Sequence, residues 1–233
     1  MENNIPNLSG PYNQYAYFVG PNPSTSINPC SVCPKIDSST FIGPFSSIIG
    51  DVTILKNVFI ACSVVIRADE GTPFYIGNNT NLQDGVILHG LEKEYVRVND
   101  ERYSIYIGNN VSCAHNCMVH GPCFIGDNVF IGFKSIVFNA CVSSNCYIGI
   151  GAVVTNGVVI ARGRFVPSGA VIDTQEKADS LYPVPIDDAE FAKAVIAVNT
   201  EFPSAYNLLF GDTRCSCGLC CRSNCLKKHN IQN

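Results

Sequence analysis

Three of the four histidines, His89, His115 and His120, stand at fixed positions in a six-residue aliphatic repeat, while His229 lies in a cysteine-rich tail. Three imidazoles converging on one point form the donor set of a catalytic zinc site with an open fourth position. A single histidine would more often be an ordinary surface or core residue. Whether these three converge depends on the repeat that carries them.

Aliphatic residues recur every six positions at Ile36, Ile42, Ile48, Ile54, Ile60 and Ile66, and resume at Ile76, Leu82 and Leu88 after four extra residues. An insertion from Gly90 to about Tyr106 precedes Ile107, Cys113, Val119, Ile125, Ile131 and Val137; a one-residue slip then starts Val142, Ile148, Val154, Ile160, Val166 and Ile172. Neither a helical period nor simple alternation sustains this pattern. Hexapeptide periodicity predicts an all-β fold, a left-handed parallel β-helix of about seven triangular coils. A β-sandwich would instead place its turns at irregular spacings. The predicted organisation is an N-terminal extension over 1–35, the β-helix over 36–178, a helical segment over 179–210 and a tail over 211–233. The C-terminal helix is expected from Asp187-Asp188 to about Glu201, with Pro203 ending or kinking it. The extension, rich in Pro, Asn and Ser, is expected to drape over the first coil.

Coils stack at about 4.8 Å, so equivalent positions one coil apart form ladders. His89 follows Leu88, and His120 follows Val119 one coil on; the two are ladder neighbours, with Arg67 beneath them. Their ring nitrogens can then close on one metal at ~2.0–2.1 Å each. His115, two positions after Cys113, shares a ladder with Asp84 on an adjacent face and points elsewhere. A neighbouring prism across a threefold axis would supply it, which predicts a homotrimer with a metal at each subunit interface.

A net charge of −4 speaks against nucleic-acid binding. No apolar run approaches the ~20 residues of a membrane span. The opening residues lack a signal-peptide pattern. A cytoplasmic protein is the expectation.

The stretches Arg67-Ala68-Asp69-Glu70-Gly71, Asn81-Leu82-Gln83-Asp84-Gly85-Val86, Leu88-His89 and Cys113-Ala114-His115-Asn116-Cys117-Met118-Val119-His120-Gly121-Pro122 resemble a γ-class carbonic anhydrase. The resemblance runs from about Ile36 to Asn199. It implies a trimer in which His89 and His120 of one subunit and His115 of the next hold zinc, with ferrous iron as the alternative. It also implies reversible hydration of carbon dioxide to bicarbonate by a metal-activated hydroxide. Glu70 matches the carboxylate beside the metal water, and Glu92 the loop carboxylate of a proton shuttle. Gln83, Asn81 and Asn199 match polar residues facing the substrate, and Arg67 with Asp84 an ion pair across the trimer interface. The short loop Glu92-Lys93-Glu94-Tyr95 departs from the longer, more acidic shuttle loop of the family. Two other functions compete: a catalytically weak assembly protein of the same family, and a hexapeptide acyltransferase whose histidine acts as a base without metal.

Thirteen cysteines remain to be placed. Six lie in the repeat, where free cysteine packs as a small hydrophobe. The others form Cys30-x-x-Cys33 and a tail cluster of Cys215, Cys217, Cys220, Cys221 and Cys225. That density fits a thiolate metal site or a set of disulfides, and disulfides would argue for an oxidising compartment.

Overall fold

A computed structural model describes residues 16–210 and the short strand Cys215–Ser216. The repeat coils into a parallel β-solenoid of about eight turns with a C-terminal helix. One face stacks Val19, Ile48, Ile66, Leu88, Val119, Val137, Val154 and Ile172 in register. A second stacks Ile36, Ile54, Ile76, Ile107, Ile125, Val142 and Ile160. The third stacks Ile42, Ile60, Leu82, Cys113, Ile131, Ile148 and Val166. Apart from Val19 and Ile36, these side chains are buried and fill the prism from three sides. The one-residue slip has a local cause: Gly121 and Pro122 together face the single residue Asn139.

The corners explain why asparagine recurs three positions after the aliphatic marker. Asn57, Asn79, Asn110 and Asn128 all adopt φ near 55°, a left-handed conformation that asparagine tolerates better than other non-glycine residues. Their carboxamides bond one to the next at 3.1, 3.3 and 3.1 Å, an amide ladder along one edge.

Two features add to the expectation. Ala16–Gly20, in the extension expected to drape over the first coil, adds a parallel strand to Ser47–Gly50 of that coil, satisfying backbone groups that would otherwise be left at the solenoid's open end. The insertion after His89 folds into an antiparallel hairpin, Val96–Val98 with Glu101–Tyr103.

A short helix, α1 (Gln175–Asp179), follows the last coil. The long helix, α2 (Ile186–Phe210), carries Asp187 and Asp188 in its first turn, where carboxylates face the positive end of the helix dipole. It does not stop near Glu201 but runs through Pro203. Proline there forfeits one backbone hydrogen bond, yet Phe202 and Tyr206 on either side pack on Phe59, with ring centroids 5.1 and 5.5 Å away. Tyr206 also meets Phe41 at 4.9 Å. Aromatic burial on both sides holds the helix against the coil. Phe191 meets Phe130 edge-on with centroids 5.5 Å apart, yet it and Val198 stay about half exposed.

Candidate metal centre

His89 on strand Ile87–Gly90 lies directly opposite His120 on strand Met118–Ile125, with Arg67 one rung below His89. His89 Nδ1 and His120 Nε2 approach to 3.1 Å. Two nitrogens bound to one tetrahedral ion at ~2.0–2.1 Å each stand roughly 3.3 Å apart, so this pair needs little adjustment to share a cation. Phe138 packs edge-on against His120 with centroids 5.3 Å apart. Burial above all, then the positive charge of Arg67 and the neighbouring His120, lowers the His89 pKa below its ordinary value, against the pull of Asp69 and Glu70. The ring is therefore neutral near pH 7, as a ligand must be.

The bulge after Arg67 brings two carboxylates to the far side of the His89 ring. Asp69 Oδ1 lies 3.4 Å and Glu70 Oε2 3.8 Å from Nε2. Arg67 Nη2 reaches the same nitrogen at 3.0 Å, while its Nε pairs with Asp69 Oδ2 at 3.3 Å. These contacts call for opposite tautomers: Arg67 needs a lone pair on Nε2, and Asp69 a proton there. Asp69 Oδ1 is buried without a hydrogen bond of its own, which marks it as the acceptor for a protonated Nε2. That tautomer leaves the Nδ1 lone pair facing His120. Asp69 lies in the motif that carries the resemblance, but it stands just beyond the strand Val65–Ala68, where strand alternation no longer fixes which way a side chain points.

The bulge is held by close backbone packing. Gly71 N donates to Gly90 O at 3.0 Å, and a Cβ on Gly71 would fall 2.6 Å from Leu91 O. Glu70 is thereby fixed beside the turn that carries Glu92. Glu92 itself forms an exposed ion pair with Lys93.

His115 sits on another face, as its register requires. Its Nδ1 is 2.9 Å from Asp84 Oδ2, and its ring stacks on Phe133 at 5.6 Å with planes 5° apart. A carboxylate on Nδ1 fixes the proton there and leaves the Nε2 lone pair free, the arrangement typical of metal-binding histidine. Asp84 Oδ1 also accepts from Cys62 N at 3.1 Å, so the carboxylate is itself anchored. Burial first, and Asp84 second, raise the Cys62 thiol pKa, which keeps that sulfur protonated and a poor ligand.

Gln83, Asn199, Phe133 and Val198 line one open recess with His115. Gln83 Nε2 donates to Asn81 Oδ1 at 3.1 Å, and Asn81 Nδ2 donates to Ser112 Oγ at 2.8 Å. Asn81 is fully buried and orients Gln83 from behind. Asn199 is anchored through its Nδ2 to Val195 O at 2.9 Å. Within one chain Arg67 pairs with Asp69 and Asp84 with His115; the structure does not bring Arg67 and Asp84 together as an ion pair. Among the described residues no single chain gathers three metal-binding side chains. Of the tail cysteines, only the backbone of Cys215 is placed; Cys217, Cys220, Cys221 and Cys225 lie outside the described residues.

No protein-family model matches the chain. The carboxysome assembly protein CcmM of Nostoc sp. is 47% identical over 182 residues, which cover 78% of this chain and 32% of that protein. The chain thus spans about a third of the length of that relative. A carbonic anhydrase of Methanosarcina thermophila is 40% identical over 198 residues, covering 79% of each. Among solved structures, a hexapeptide transferase family protein from Anaplasma phagocytophilum superposes with a TM-score of 0.62 at 22% identity, over 83% of this chain and 98% of that one. At that identity the likeness concerns the fold alone.

Proposed function

The chain belongs to the γ-class carbonic anhydrase family, and from that premise we propose that it interconverts carbon dioxide and bicarbonate at a metal centre completed between protomers of a homotrimer. The observation that carries this reading is the pairing of His89 and His120 at 3.1 Å on one ladder. His115, turned outward with Asp84 at its back, complements it. His89 and His120 of one protomer and His115 of the next would hold the ion. The half-exposed Phe191 and Val198 on α2 would be covered in the same assembly. Arg67, drawn to Asp84 of the adjacent protomer, would leave His89 Nε2 to Asp69.

Bound there, zinc or ferrous iron supplies the Lewis acidity that makes water nucleophilic at neutral pH, as is established for carbonic anhydrases. The remaining tasks fall to the protein. Hydration turns carbon dioxide and water into bicarbonate and one proton, and Glu70 stands where it can accept that proton. Glu92, on the turn packed against the Glu70 bulge, would relay it to solvent or buffer. Gln83 and Asn199 present amides toward the substrate, with Gln83 held by Asn81 so that little reorganisation is needed.

Stopped-flow assay of the purified chain should show carbon dioxide hydration that is lost on chelation and regained with zinc or ferrous iron. Hydration at the uncatalysed rate in both reconstituted forms would remove the enzymatic reading. An assembly role, to which the similarity to carboxysome assembly proteins points, and a metal-free hexapeptide acyltransferase would then be the readings left to test. A second expectation concerns the support for His115. Asp84→Asn should lower metal affinity about 10–100-fold, measured by competition with a chromophoric chelator, while circular dichroism stays unchanged. Unaltered affinity would show that Asp84 does not orient a ligand.

A further inference from the structure

The helix α2 lies along a column of side chains that is aromatic except in its middle. On the third face, the residues just before the aliphatic markers stand in register: Phe41 and Phe59, then Asn81 and Ser112, then Phe130, Tyr147 and Phe165. Phe41 stacks on Phe59 with ring centroids 5.6 Å apart, and Tyr147 stacks on Phe130 and Phe165 at 4.6 and 5.5 Å. The helix is seated on both aromatic groups, through Phe202 and Tyr206 on the first and Ala192 and Val195 on the second. One rung below Phe130, a serine stands where a ring would continue the column. A cleft of about 390 Å³ opens there, lined by Ser112, Phe130 and Tyr147 of the coil and by Ala192 and Ile196 of α2.

Packed elements rarely leave space larger than a water molecule between them, and this space carries two polar groups without a partner. Ser112 is 1% exposed; its Oγ accepts from Asn81 Nδ2 at 2.8 Å, and among the described residues nothing accepts its own proton. A buried donor in that state costs free energy until something accepts from it. Lys193, exposed on α2, is the one charged residue at the cleft and forms no ion pair among the described residues. Asn110 and Asn128, also at the cleft, belong to the amide ladder between the second and third faces. The cleft therefore lies away from the face that carries His89 and His120.

We propose that this cleft binds a small aromatic carboxylic acid, its ring filling the open rung beside Phe130 and its carboxylate meeting Lys193. Ser112 then gives its proton to an oxygen substituent of the ring. The size suits a small molecule, whose sites run from about 300 to 1,000 Å³. A peptide helix or strand has no room beneath a helix already seated on both sides of the gap. The chemistry of the walls narrows the choice further. Val129, Phe130, Ala192 and Ile196 offer an apolar slot, and a ring there gains stacking contact with Phe130 beyond its burial. Lys193, with no carboxylate among the lining residues, selects a negative head group over a positive one. The site stands apart from the histidine centre and does not depend on any activity there.

The chain contains no tryptophan, so a hydroxynaphthoate probe excited beyond the tyrosine band reports its own binding by fluorescence. Titrated into the full chain, it should saturate at about one molecule per chain. The matching naphthol, which lacks the carboxylate, should bind about tenfold more weakly. Lys193→Met should bring the two affinities together. Ser112→Phe, which puts a ring into the open rung, and Ala192→Leu, which fills the cleft from the helix side, should each abolish saturable binding while circular dichroism stays unchanged. No saturable binding to the unmodified chain overturns the proposal. So do equal affinities of the two probes for that chain, a preference for the acid that survives Lys193→Met, or undiminished binding to a folded Ser112→Phe or Ala192→Leu variant. The comparison of acid with naphthol needs no change in the packed residues, so failure of a cleft-filling variant to fold leaves the proposal open to refutation. Hydration activity is not read, so a negative result here leaves the carbonic anhydrase reading standing.

Discussion

Chains carrying His115→Ala, refolded in equal amounts with chains carrying His89→Ala and His120→Ala, should recover about one quarter of wild-type hydration activity although neither has any alone. The fraction follows from the geometry. A complete site needs the His89–His120 pair from one protomer and His115 from the next. In a randomly mixed ring half of the positions offer the pair, and half of their neighbours offer His115. Metal content should follow the same fraction. The ladder is what makes this outcome necessary: His89 and His120 face one another on one side of the prism, while His115 stacks on Phe133 in the recess beside α2. Were all three ligands drawn from one chain, mixing would recover nothing. Were the His89–His120 pair sufficient by itself, His115→Ala would be active before mixing. Activity in the mixture well below a quarter, with trimers formed and mixed, would contradict the shared site.

The site was readable from the sequence to the extent that it obeys the repeat. A strict six-residue period fixes which residues share a ladder, so the pairs His89–His120 and His115–Asp84 follow from counting, and the register bears out both. Two cases escaped the count because they lack a periodic partner. Ala16–Gly20 is one strand with no repeat behind it, and its place is set by the edge it covers. The extension of α2 past Pro203 is decided by Phe41 and Phe59, residues about 150 positions earlier, whose packing outweighs local propensity. Asp69 escaped for another reason. It sits in a bulge where the period breaks, so only the three-dimensional course of the chain returns it to His89. Breaks in a repeat are where ladder arithmetic fails, and here the break also carries the site's carboxylates.

Glu70→Gln should lower kcat by about 10²- to 10⁴-fold while leaving metal content and the trimer intact. The amide keeps the shape and the hydrogen-bonding capacity of the side chain but cannot accept a proton. Two roles for Glu70 fit its position 3.8 Å from His89 Nε2, and this substitution separates them. A carboxylate serving only as an ionic partner of the ligand ring would, once neutralised, weaken metal affinity and leave turnover of the loaded enzyme nearly unchanged. A carboxylate that takes the proton from the attacking water leaves affinity intact and slows turnover, with partial rescue by concentrated small buffers able to enter the recess. The geometry favours the second role. Asp69 already lies closer to Nε2 than Glu70 does, so the ring does not need another partner. Glu70 is also left partly open to solvent, at 40% side-chain exposure, where a proton can leave. The backbone packing at Gly71 keeps it beside the turn of Glu92. A kcat within twofold of wild type in weak buffer, with full metal occupancy, would assign the proton transfer to another group, and Asp69 would be the next residue to test.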